Sequence, residues 1–156
     1  MNLTVKKTDN YQNLLRRCFS TDSSLVNIFH IKAGEGVKAC AANTFEVLKS
    51  LQGFDFYALY DADKSIGYFG IEHYGGATFL TGFFLNPEYR TPEVKSWFWK
   101  QVDKKANVDT LYCGIYKKNT RAKAFLERSG FTHMHDRSLD GTIVTQLFKK
   151  DKICQQ

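Results

Sequence analysis

Apolar residues recur along this chain with two periods, and the switches between them mark the elements. Leu3 and Val5 alternate with polar neighbours, which predicts a short strand over residues 3–6. Tyr11, Leu14, Leu15, Cys18 and Phe19 follow at helical spacing and share one face, with Thr8 or Asp9 available as the cap. The polar run 20–24 ends that helix. A second short helix is expected over 25–31, a loop over 33–36, and further helix over 37–51 until Gly53 stops it. Then the pattern becomes β. Residues 54–60, 66–73 and 77–85 read as strands, joined by Asp61-Ala62-Asp63-Lys64 and by Gly75-Gly76, an antiparallel meander with tight turns.

The helical period returns after residue 90. Thr91 can cap, and Pro92 takes the first helical position, where its missing N–H costs least. Val94, Trp97, Phe98 and Val102 form a stripe that runs to about residue 106. Trp99 points to another side of that helix, as an exposed contact or as a ring partly buried against a neighbouring loop. A strand is expected over 110–116 and a helix from Asn119 to the stop at Gly130. Strands over 131–135 and 142–148 follow, with a turn at Asp140-Gly141. A strand–helix–strand step inside a mostly antiparallel sheet requires one parallel pair with the helix crossing over it. The fold class is therefore α+β, a mixed, mostly antiparallel central sheet flanked by helices, in a single domain spanning 1–156.

Composition narrows the class. The 156 residues can enclose one substantial core. Hydrophobic residues at 43% and aromatics at 15% argue for packing and against disorder. No apolar run approaches a membrane span, and the N-terminus lacks the apolar stretch of a secretion signal. Cys18, Cys40, Cys113 and Cys154 lie far apart with no Cys-x-x-Cys, so reduced thiols in a cytosolic setting are expected. The net charge is +6, and from Leu111 onward 9 Lys and Arg stand against 4 Asp and Glu. Such a surface attracts phosphates or an acidic partner, or is simply a solvated basic face.

Three segments carry a family resemblance. They are the hairpin from Tyr57 to Tyr68, the stretch Phe83-Phe84-Leu85-Asn86-Pro87-Glu88-Tyr89-Arg90, and the helix from Asn119 that ends at Gly130-Phe131. Together they resemble the GNAT superfamily of N-acetyltransferases over well over half the chain. The resemblance implies a GNAT-like fold and a cleft for acetyl-CoA. A narrower likeness lies in Asn119-Thr120, Phe125-Leu126, Gly130, Asp140-Gly141 and Gln146-Leu147-Phe148. These are similar to GNAT-like proteins of short-tailed phages, some known as internal virion protein A. That likeness implies a viral origin and a protein partner, either a virion component or a host protein. The implied location is the virion or the host cytoplasm. No nucleic-acid motif is present, so nucleic acid is not the expected partner.

The family cradles the CoA pyrophosphate on a loop of pattern Gln/Arg-x-x-Gly-x-Gly/Ala at a helix N-terminus, where backbone N–H groups and the helix dipole face the phosphates. The matching stretch here is Arg90-Thr91-Pro92-Glu93-Val94-Lys95. Arg90 fits its place, but Glu93 and Lys95 stand where glycine or alanine belongs, and Pro92 removes a donor. The resemblance thus assigns cofactor contacts to Leu85, Arg90, Lys95 and Asn119, the last of which is also a sound helix cap. The family's tyrosine acid falls on Leu126, which has no proton to give. The catalytic candidates are Glu72 and His73 as base, unless they are solvent-facing groups beside the turn, and Tyr112. His133 and His135 alternate onto one strand face but have no third ligand, so no metal is expected. Two functions follow. One is a GNAT-fold protein with a degenerate cofactor loop and weak or absent catalysis, acting as a virion-associated or protein-binding module. The other is an active acetyl-CoA-dependent N-acetyltransferase acting on a protein or small amine.

Overall fold

A computed structural model describes residues 1–28, 35–138 and 144–151. Parts of the expected 25–31 helix and 33–36 loop, the Asp140-Gly141 turn, the start of the last strand and Cys154 lie outside the described residues. The chain runs β1 (Leu3–Lys7), α1 (Gln12–Phe19), a 3-10 turn (Ser23–Asn27), α2 (Val37–Lys49), β2 (Phe54–Asp61), β3 (Lys64–Tyr74) and β4 (Ala77–Leu85). A second 3-10 turn (Pro87–Tyr89) leads to α3 (Pro92–Ala106), β5 (Thr110–Tyr116), α4 (Thr120–Arg128), β6 (Thr132–Ser138) and β7 (Val144–Asp151). The strands form one sheet in the order β1-β2-β3-β4-β5-β7-β6. Every pair is antiparallel except β4–β5, across which α3 makes the expected crossover.

Strand alternation divides two cores. On one face Phe69, Ile71, Leu80 and Leu85 meet Val94, Phe98 and Val102 of α3 and Leu126 of α4. On the other, Phe56, Ala58, Tyr68 and Phe84 meet Leu14, Leu15, Cys18 and Phe19 of α1 and Leu48 of α2. Because β2 and β3 are covered on both sides, their middles are buried without interruption. The Gly75-Gly76 turn has φ of +61° and +78°, which explains the paired glycines.

Several details depart from the pattern. α1 starts after Tyr11 with no side-chain cap, although Thr8 and Asp9 stood ready. Tyr11 is drawn inward instead, its ring stacked on Phe56 at 4.2 Å, and that packing sets the helix start. Trp99 is not an open contact surface. It stacks on Phe125 at 5.1 Å and lies tilted against Phe131 at 5.4 Å, with the Lys150 ammonium over its ring. β6 runs past its expected end, and its pairing shifts between His133 and His135, so simple alternation does not hold there. Cys18, Cys40 and Cys113 are buried thiols, and burial pushes Cys18 and Cys113 up to about 12. No helix among the described residues is long and apolar enough to cross a membrane.

Candidate functional site

The site begins with an irregularity in β4. Phe69 faces Phe83 while Ile71 faces Leu80, so Thr81 and Gly82 together oppose Gly70. The extra residue is a bulge, and Gly82 turns it at φ +82°, a conformation that favours glycine. Beyond this bend β4 leaves β5. The two strands pair only at Phe79 with Tyr112 and Leu80 with Cys113.

The parting exposes backbone. The Asn86 N–H donates to the Ile66 carbonyl at 2.7 Å, so position 86 faces β3. By alternation Phe84 also faces β3, while the amide groups of Phe83 and Leu85 face the gap left by β5. The gap opens into a cleft of about 310 Å³. Phe83, Phe84 and Leu85 form its strand wall, and Asn119, Ala122 and Phe125 its helix wall. Phe19, Leu25 and Ile28 close one side, and Tyr68 reaches it from β3. Among the described residues four cations line it, Arg90, Lys95, Arg121 and Arg128, and no carboxylate does.

Two of the cations are tethered. One oxygen of Asp22, Oδ2, accepts from Arg90 Nη2 at 2.8 Å and from Arg121 Nη2 at 2.7 Å. Arg90 also donates through Nε to the Leu85 carbonyl at 2.8 Å and lies over the Phe84 ring. Asp22 is 7% exposed. Burial alone would raise its pKa, but hydrogen bonds from Ser24 and Arg90 and the charges of Arg121 and Arg90 outweigh that and bring it down to about 2. Arg121 is half exposed. Lys95 sits over the Phe125 ring, and neither it nor Arg128 has an ion-pair partner among the described residues.

The α3 N-terminus largely satisfies itself. Thr91 Oγ1 accepts from the Val94 N–H at 3.3 Å, the Thr91 carbonyl accepts from the Lys95 N–H at 2.9 Å, and Pro92 has no N–H. Of positions 92–95, only the Glu93 N–H is left by these bonds. Asn119 Oδ1 likewise accepts from the Ala122 N–H at 3.0 Å and caps α4. That leaves its amide nitrogen for the cleft.

All four residues assigned to the cofactor, Leu85, Arg90, Lys95 and Asn119, line this cleft. Glu72, His73 and Tyr112 do not. Glu72 accepts from Thr81 Oγ1 at 3.2 Å, beside the bulge but outside the cleft. His73 Nδ1 lies 3.0 Å from Thr78 Oγ1 near the hairpin end, and Tyr112 packs on Phe79 where β4 and β5 still pair. Leu126 is fully buried in the core. Sequence reasoning passed over Asp22, Tyr68, Arg121 and Arg128. The two arginines are seven apart on α4, a helical spacing that was readable. Asp22 gave no signal, lying 68 residues from Arg90 and 99 from Arg121.

No protein-family model matches the chain, and no curated protein matches it in sequence. Solved structures do match in shape. An acetyltransferase from Thermus thermophilus superposes with a TM-score of 0.75 at 16% identity, covering 97% of this chain and 98% of that one. A Desulfovibrio desulfuricans protein assigned to the GNAT family of acetyltransferases gives 0.70 at 14% identity, covering 96% and 98%. The PaiA N-acetyltransferase of Thermoplasma acidophilum, solved in complex with coenzyme A, gives 0.66 at 16% identity, covering 97% and 100%. The chain has the GNAT fold.

Proposed function

We propose that this protein is an acyl-CoA-dependent N-acyltransferase that grips the cofactor's phosphates with side chains more than with a backbone cradle. The observation that carries this reading is the gap between β4 and β5. It presents the amide edges of Phe83 and Leu85, the Leu85 carbonyl already held by Arg90, to a cleft whose described lining residues include four cations and no carboxylate, with Asp22 tethering two of those cations from behind. A pantetheine arm is a short chain of amides that can pair with a strand edge, and a pyrophosphate needs cations once the helix N-terminus is occupied by its own cap. Lys95 and Arg128, with no ion-pair partner among the described residues, can meet phosphate, and Arg90 and Arg121 retain donors beyond those held by Asp22. Asn119 lines the same cleft, and its cap uses only Oδ1. The cofactor supplies the activated acyl group, and Glu72, which accepts from Thr81 at the bulge though it does not line the cleft, is the base candidate.

The competing reading is a non-catalytic binding module, seated in a virion or on a host protein. One observation favours it: Thr91 and Pro92 consume or remove the donors on which the family relies. Calorimetric titration with acetyl-CoA separates the two. Acyltransfer requires saturable binding in the micromolar range that weakens with salt. Absence of heat and of thermal stabilisation at millimolar ligand leaves the binding module standing.

A further inference from the structure

The cleft has a feature that neither the cations nor the strand edge explains. Among its described lining residues Tyr68 is the only one whose side chain carries an O–H. Tyr68 is 3% exposed, and its ring is held by stacking on Phe56 at 5.0 Å and on Phe84 at 6.4 Å. Despite that burial its hydroxyl makes no hydrogen bond among the described residues. A buried phenol normally finds a partner, so an idle one that borders a cleft is aimed at something the cleft receives. Its position says what. A Cβ built on Gly82, the turning residue of the bulge, would lie 3.5 Å from the Tyr68 ring and 3.9 Å from its hydroxyl. Tyr68 therefore stands where β4 leaves β5, at the inner end of the gap whose outer end holds the cations.

We infer that the Tyr68 hydroxyl is the hydrogen-bond donor to the sulfur of the acyl thioester, a role that Leu126 and Phe125 on α4 cannot take because neither side chain carries a polar hydrogen. This rests on the acyltransferase reading above. In the transfer, the amine lone pair forms the C–N bond at the thioester carbon. The C–S bond breaks and its electron pair goes to sulfur. The proton shed by nitrogen ends on that sulfur, giving amide and free thiol. Tyr68 stabilises the developing negative charge through its O–H and keeps its own proton. Burial supports that part, because it pushes the phenol well above the usual tyrosine range and keeps it a neutral donor at working pH. A preorganised donor of this kind contributes on the order of a hundredfold in rate.

The test is Tyr68→Phe in the full-length chain, a change that keeps the stacked ring and removes only the oxygen. Two readouts are taken side by side. The first is calorimetric affinity for coenzyme A and for desulfo-coenzyme A, which lacks the sulfur. The wild type should prefer the sulfur-bearing form several-fold, and Tyr68→Phe should erase that preference while binding desulfo-coenzyme A as the wild type does. The second is thiol release from acetyl-CoA with hydroxylamine as acceptor, which should fall about a hundredfold. A wild type that binds neither form sinks the acyltransferase reading itself and this inference with it. A wild type that binds, with a variant of unchanged sulfur preference and unchanged thiol release, overturns the role of Tyr68 alone.

Discussion

The mouth and the floor of the cleft are held by different forces. At the mouth, Asp22, Arg90 and Arg121 come from three separated segments and are joined by charge. At its apolar base, the wall residues Phe83 and Phe125 pack ring on ring with Phe98 and Trp99 behind them, between β4, α3 and α4, with centroids 5.1 to 6.1 Å apart; this packed base is the floor. The floor is a packing problem, tolerant of salt and acid. The mouth is an electrostatic one, partly open to water, and its strength depends on both. Under the acyl-CoA reading proposed above, this division serves a site that admits and releases a polyanion: a rigid apolar base fixes the gap, while the charged rim can exchange partners.

The largest perturbation should come from the floor. Phe98 is fully buried and meets the rings of Phe69, Phe83, Phe125 and Trp99. Phe98→Ala should lower stability by about 3–5 kcal/mol, through lost transfer energy plus a cavity. Urea unfolding at low and high salt should give the same loss; a loss that depends strongly on salt would erase the distinction drawn here.

Asp22→Ala should cost less, about 2 kcal/mol. Removing the anion of a buried pair costs more, but Arg121 is half exposed and water screens part of the loss. This change also has a pH signature. The carboxyl of Asp22 titrates near 2 in the folded chain against an ordinary 3.8. Its stabilisation is therefore complete above about pH 4 and is lost as pH falls toward 2. Urea midpoints measured from pH 5 to pH 2 should converge for wild type and Asp22→Ala at the acid end. A constant gap across that range would mean that Asp22 acts by shape and not by charge.

The smallest effect on folding should come from Lys95→Ala. Lys95 touches the Phe125 ring and no carboxylate among the described residues, so stability should change by no more than about 0.5 kcal/mol. Its effect should appear in binding, as a roughly fivefold weaker affinity for acetyl-CoA that shrinks at high salt. Unaltered affinity with lowered stability would place Lys95 with the floor and not the mouth.

Much of this architecture was legible before any coordinates. The meander from β2 to β4, the Thr91-Pro92 start of α3 and the Asn119 cap of α4 are local signals, each set by a few neighbouring residues. The GNAT resemblance, and not any local spacing, named Leu85, Arg90, Lys95 and Asn119 together, and all four line the cleft. The α1 start was misread because a cap competes with packing, and the stack of Tyr11 on Phe56 outweighs it. Trp99 was open to two readings for the same reason: helical spacing places it on a side, but only Phe125 of α4 and Phe131 just before β6 decide whether that side is covered.

By itself, the order of residues determined which segments are helix and strand and that one parallel pair must exist. These follow from periodicity, backbone sterics and capping, which act over a few residues, whereas the departure from glycine after Arg90 is visible only against the GNAT pattern that the sequence resembles. The tertiary structure alone decided that β4 bends away at Thr81-Gly82, that Asp22 holds two distant arginines, and that the Tyr68 hydroxyl is left without a partner among the described residues at the gap. Those outcomes depend on contacts between segments far apart in the chain, and no local rule encodes which donor will meet which acceptor once the cores have closed.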